Sequence, residues 1–319
     1  MRKSSGSWRG QVSAEGVPAL LEQIKGLTVA LATPLNEDGE PDIGGLERLI
    51  ERAIAGGASC LFPLGWAGEG PLLSHNSRVT VMRETCRLAD GRVPVMAGVS
   101  EQSLPRALEL AEAAKNAGAQ LILSTPPFSY EIPQDLVRDY FTALASASGM
   151  PLVIYQNEEV GVKVELDTLL RLAEIPGVVG VKAFTTFLKL QQCYNLAHRP
   201  GSFAVMSGDE YLYAAALLLG IRHFTMGGPG NLCPSWCTTI YRSALDGDWD
   251  AVTRKQKRLT DFCDALYPLA DTAYAAFKYA LEVLGICSRR ITSPHPVVTA
   301  EQRSHIGKVM ADFADILDS

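Results

Sequence analysis

One lysine stands where a lysine is out of place. Lys182 lies in the run Val178-Val179-Gly180-Val181-Lys182-Ala183-Phe184, apolar and β-branched, at the point where a buried strand would end. Apolar surroundings disfavour the charged form of an amine, lower its pKa and leave a neutral nucleophile. Such an amine condenses with a carbonyl to give a Schiff base. Taken alone, a lysine in this setting more often marks the solvated end of a strand. Tyr155 changes the balance. It ends another apolar run, Leu152-Val153-Ile154-Tyr155, and a phenol beside an amine can relay protons at an imine intermediate.

These two residues need a frame that brings strand ends together. Eight short apolar runs recur along the chain, at 27–32, 59–64, 93–97, 120–124, 152–155, 178–182, 203–206 and 223–226. They are nearly continuous in apolar residues, as parallel strands covered on both faces are. Amphipathic helical patterns separate them. Leu46, Leu49, Ile50 and Ala53 recur at helix spacing, and Asp42 and Ser103 stand where N-caps belong. Eight βα units in series predict a (β/α)8 TIM barrel over residues 26–246. Residues 1–25 form an N-terminal extension. The stretches 236–245, 249–266, 272–284 and 300–317 read as helices; the first closes the barrel and the others make a C-terminal helical extension over 247–319.

In such barrels chemistry gathers at the C-terminal ends of the strands. That rule selects Lys182 and Tyr155 as catalytic residues. It selects Gly65, Trp66, Ala67, Gly208 and Thr225 as substrate-binding residues, and Phe128, Gln156, Phe184 and Asp209 as further lining. The Gly-rich segment 65–70 can turn backbone N–H groups toward a carboxylate. Within it, Glu69 reads as a buried carboxylate held by backbone donors. Gly227-Gly228-Pro229-Gly230 follows the eighth strand, where barrels often hold phosphate, but it carries no Lys or Arg. His75, His198 and His305 fall on helices away from the strand ends, where a solvated face is expected.

Bulk properties narrow the class. The chain has 319 residues, 47% hydrophobic and 20% charged, an ordinary globular balance. A formal net charge of -6 offers no basic field for nucleic acid or anionic membrane. No apolar run reaches the roughly 20 residues of a membrane span, and no apolar core of a secretory signal follows the basic N-terminus. Seven scattered cysteines suit reduced core residues of a cytoplasmic protein. The close pair Cys233 and Cys237 lacks the partners of a zinc site, so no metal is expected.

The ordered set resembles the dihydrodipicolinate synthase and N-acetylneuraminate lyase family of class I aldolases. The resemblance rests on residues 30–35, 65–69 and 93–99, Thr125-Pro126, and residues 151–155, 179–182 and 207–209, and runs from about Gly26 to the C-terminal helices. It implies that Lys182 is the Schiff-base lysine and Tyr155 the proton-relay tyrosine. It also implies a pyruvate-type 2-oxo acid substrate, no dissociable cofactor, and a homo-oligomer, dimer or tetramer. Three departures stand out. The family usually has two hydroxyl residues in the 65–70 turn, where this chain has Trp66 and Ala67. Phe128 replaces a tyrosine, and no arginine occurs near Glu159, where the synthase holds a second carboxylate. Dihydrodipicolinate synthesis itself is therefore not expected. A ligand-binding paralogue without turnover and a phosphate-binding barrel enzyme are the alternative readings.

Overall fold

The computed structural model describes residues 16–158 and 160–317. Its eight strands are β1 (Gly26–Ala30), β2 (Cys60–Phe62), β3 (Met96–Gly98), β4 (Leu121–Ser124), β5 (Leu152–Asn157), β6 (Val178–Phe184), β7 (Ala204–Ser207) and β8 (His223–Met226). All pair in parallel in the order β2-β1-β8-β7-β6-β5-β4-β3. A parallel bridge between Leu61 and Val95 joins the two ends. The result is a (β/α)8 TIM barrel with C-terminal helices.

Register sorts the strand residues into two faces. Parallel partners share a face and neighbours along a strand alternate. Tyr155 is opposite Lys182, and Lys182 is opposite Met206. Met206 is opposite His223, two residues before Thr225. Tyr155, Lys182, Met206 and Thr225 therefore share the interior face, and Gln156 and Ala183 face the surrounding helices. The strands β5 and β6 run two residues beyond their apolar cores because Gln156 pairs with Ala183 and Asn157 with Phe184. β2 stops at Phe62, two residues early, because Leu64 turns left-handed with φ of 64°.

The floor of the barrel is closed by the helix Val17–Gln23, which buries Leu20 and Leu21. The interior His223 meets this plug through Nε2, 2.9 Å from the carbonyl oxygen of Leu21. Burial lowers the His223 pKa to about 4. Residues 1–15 lie outside the described part of the chain.

Beyond the barrel, helices Trp249–Leu266, Ala273–Val283 and Ala300–Asp312 pack together. The last ends before the residue 317 expected from its pattern. Phe313 instead folds onto Phe262, with ring centroids 5.3 Å apart, and Asp315 pairs with Arg258. Asp42 and Ser103 occupy N-cap positions in extended conformation, but neither side chain makes a capping hydrogen bond. No helix among the described residues is long and apolar enough to cross a membrane.

Candidate active site

Lys182 and Tyr155 come together at the mouth. Both are buried, 6% and 4% exposed, as adjacent strand ends on one face require. Lys182 Nζ lies over the Tyr155 ring face, 3.9 Å from its centroid. Phe62 closes another side, 5.4 Å away. Loss of hydration pulls the Lys182 pKa down to about 7, against the opposing pull of Glu210. The amine is thus substantially neutral at physiological pH, the state that attacks a carbonyl.

Gly208 packs closely on the lysine. A Cβ at that position would stand 3.0 Å from Lys182 Cε, with the Ala183 carbonyl oxygen 3.2 Å behind it. Gly208→Ala should displace the amine and lower kcat/KM about tenfold or more, with little change in stability. Steady-state kinetics beside a thermal melt checks this; equal losses in both would mark a general packing defect instead.

Trp66 takes the place of a hydroxyl. Its indole meets Tyr155 edge-on at 6.0 Å and Phe128 edge-on at 5.5 Å. Three aromatic rings thus meet at the mouth. The Tyr155 hydroxyl accepts from Asn157 Nδ2 at 3.4 Å. The turn itself closes on Gly65, whose carbonyl accepts from Gly68 and Gly70 at 3.2 and 3.1 Å, while Glu69 N–H bonds Trp66 O. Its left-handed residues are Leu64 and Glu69, not the glycines. The glycines serve close approach: a Cβ on Gly70 would run into the Leu64 carbonyl. Ala67 is buried beside Gly227, 3.2 Å from where a Cβ there would sit.

The remaining sequence candidates divide. Thr225 is buried on the interior face, its hydroxyl 4.0 Å from Met206 Sδ. Phe184 shares the Lys182 face and is half-buried at the rim. Asp209 caps a short helical turn, accepting from Tyr211 N–H at 2.8 Å. Gln156 faces away from the substrate space. Its Oε1 accepts from Val164 N–H at 2.7 Å and its Nε2 donates to Glu158 at 3.1 Å, in a cleft between loop and helices outside the barrel. Period-two alternation with Tyr155 forces this. Glu158 is held by Lys189 at 2.9 Å. Glu159, where the resemblance would place an arginine, lies outside the described residues.

Sequence reading missed two charged residues. Lys278, on the helix Ala273–Val283, is buried and donates to Glu69 Oε1 at 2.7 Å and Thr33 O at 2.5 Å. Thr292 N–H serves the other Glu69 oxygen at 2.5 Å. Glu69 is thus an organiser of the turn, but only one of its two donors is backbone. The signal lay in the helix pattern, since Lys278 sits among Ala275, Phe277 and Leu281 on the buried side. Glu210, two residues after Gly208, accepts from the Tyr267 hydroxyl and couples to Lys182.

Three other sequence features have these places in the fold. The segment after β8 forms the short helix Gly228–Leu232, and this chain's own Tyr267 packs against its start, where its hydroxyl would collide with a Cβ on Gly228. Cys233 and Cys237 are both buried, and among the described residues no group of three His, Cys, Asp or Glu gathers as for a metal. His75 and His305 are exposed, but His198 is half-buried and stacks on Tyr194 at 4.7 Å.

A TIM barrel with a buried, partly neutral lysine on its interior face, beside a tyrosine of the neighbouring strand, defines a class of lysine-bearing barrel lyases. The chain belongs to the Dihydrodipicolinate synthetase family, whose model matches residues 23–312. It is 36% identical over 264 residues to a 4-hydroxy-tetrahydrodipicolinate synthase of Acidiphilium cryptum, covering 82% of this chain and 89% of that protein. Among solved structures, a dihydrodipicolinate synthase from Bacteroides thetaiotaomicron superposes with a TM-score of 0.85 at 31% identity, over 91% of this chain and 98% of the other. A chloride-inhibited dihydrodipicolinate synthase from Acinetobacter baumannii, complexed with pyruvate, gives 0.85 at 28% identity over 92% and 100%.

Proposed function

We propose that this protein is a lyase acting on a pyruvate-type 2-oxo acid through a Schiff base on Lys182, with no dissociable cofactor. The observation that carries the reading is the buried amine, shifted to about 7 and lodged over the Tyr155 ring. Neutral Lys182 attacks the ketone, and the protonated imine becomes an electron sink for cleavage, condensation or dehydration at the neighbouring carbon. Tyr155 moves the proton. The N–H groups of Trp66 and Ala67, which do not close their own turn, orient the substrate carboxylate. The pyruvate in the Acinetobacter relative supports the substrate class.

The substrate differs from that of the synthases. Trp66, Phe128 and Tyr155 make the mouth aromatic. These walls favour a less acidic, more apolar partner than a dicarboxylate. The protein acts as a soluble cytoplasmic homo-oligomer in this reading.

Reduction with borohydride in the presence of a panel of 2-oxo acids tests it. At least one acid should add its reduced mass to Lys182, at a rate rising through pH 7 as the amine loses its proton. Folded protein that gives no adduct with any of them refutes the reading.

A further inference from the structure

The barrel is hollowed at its foot as well as at its mouth. Beside the plug helix Val17–Gln23 lies a cavity of about 230 Å³, walled by the first residues of β7 and β8, the end of the helix Phe187–Ala197 and the turn that follows it. That volume far exceeds what a single water needs. Lys25, His198, Arg199, Arg222 and His223 line it, against one carboxylate, Glu22. Three permanent cations thus gather at one hollow of a chain whose formal charge is -6.

The partners these cations already have do not use up their charge. Lys25 meets Glu22 at 2.5 Å, but the two side chains are 38% and 70% exposed, where an ion pair holds little. Arg199 reaches out of the cavity to Glu174 at 2.7 Å, another exposed pair. Arg222 donates through Nη1 to the carbonyl oxygens of Leu217 and Ile221 at 3.0 and 2.9 Å. Both acceptors are neutral groups, and a helix end supplies only about half an elementary charge. His198 stacks on Tyr194, and its Nδ1 is buried without a hydrogen-bond partner. His223 is buried and spends Nε2 on the Leu21 carbonyl.

We infer that this cavity binds a small organic oxyanion, a carboxylate or a phosphate ester, with Arg222 and Lys25 supplying the charge and His198 a ring donor. Leu21 and Phe203, also in the wall, take the carbon skeleton. The site lies at the N-terminal ends of the strands, and the Schiff-base reading neither supports it nor depends on it. An anion there favours the imidazolium form of the rings. The groups now around them work mainly the other way. Burial lowers the His198 pKa and Lys25 adds to the fall, against the main chain of Phe203. Burial brings His223 down to about 4, with His198 and Lys25 adding to the fall and the Leu21 carbonyl and Glu22 opposing it.

The experiment follows the imidazole ring protons of the full chain by NMR. Five histidines are few enough for each signal to be assigned by single replacement. Succinate, glycerol phosphate and sodium chloride are titrated in turn at matched ionic strength. Succinate or glycerol phosphate should raise the His198 midpoint by about one pH unit, saturably, and leave the exposed His75 and His305 where they are. A response to succinate alone assigns a carboxylate ligand, and one to glycerol phosphate alone a phosphate ester. Arg222→Gln should weaken binding about tenfold. Lys25→Gln should weaken it too, and it carries the test if Arg222→Gln does not fold. A His198 midpoint that neither organic anion moves further than chloride does overturns the inference, and so does parent-like binding in both folded variants. The basic residues would then serve only the helix ends at which they stand.

Discussion

Lys182→Met should abolish the borohydride adduct, cut turnover by at least about a thousandfold, and make the fold more stable. The first two effects follow from losing the nucleophile, which no neighbour can replace. The third follows from linkage. The folded lysine titrates near 7 and its ordinary value is 10.5. Between those values the unfolded chain holds a proton that the folded chain has lost, so stability rises with pH across that window. Below pH 7 both forms are protonated and the folded state bears the full penalty of a buried ammonium. At neutral pH that penalty is on the order of 4 kcal/mol. Methionine fills similar volume without charge and removes it. Glu210 loses a cation but keeps its Tyr267 donor and can take up a proton, so the offset is small. Urea unfolding at pH 7 and at pH 10 checks this. The gain should be large at the first and much smaller at the second; a variant less stable than the parent at pH 7 would contradict the assignment of a destabilising amine.

The reverse outcome is expected for Lys278. This ammonium is 1% exposed and its partner carboxylate 2% exposed. Lys278→Met leaves Glu69 inside with one donor, the Thr292 N–H, and should cost about 3–5 kcal/mol. Glu69→Leu alone should cost a similar amount by stranding the lysine. The double replacement should recover a good part of either loss, since two desolvation penalties vanish together. A double-mutant cycle by chemical denaturation reads the coupling; strictly additive losses would show that the pair is not acting as a unit. Because Glu69 anchors the 65–70 turn, the single variants that still fold should also show a higher KM for the 2-oxo acid.

Two lysines of one chain, both buried, thus carry opposite expectations. One lies against aromatic rings with no ion pair among the described residues, and the other is matched directly by a carboxylate and a carbonyl. The difference lies in partners and not in burial, and it explains how far the sequence could be read. The barrel was legible because eight apolar runs at βα spacing admit few arrangements. Lys182 was legible because a charge within a β-branched run is conspicuous, and Tyr155 because it ends the preceding strand. Gln156 was misassigned although alternation with Tyr155 could have excluded it. Lys278 and Glu69 are 209 positions apart, and nothing local announces their meeting. Glu210 meets its partner Tyr267 57 positions further on, which nothing local in the sequence announces. Trp66 was visible as a departure, but its edge-on contacts with two rings were not.

The helices after the barrel reach back into its working end at two points, Lys278 beneath the turn and Tyr267 behind Glu210. A gene fragment stopping at residue 246 would still encode every strand, the nucleophile and the phenol. Its product would have a carboxylate stripped of its ammonium below the rim and an untethered acid above it. Grafting a relative's tail onto this barrel would therefore rewrite the electrostatics of the reacting amine without touching a single barrel codon.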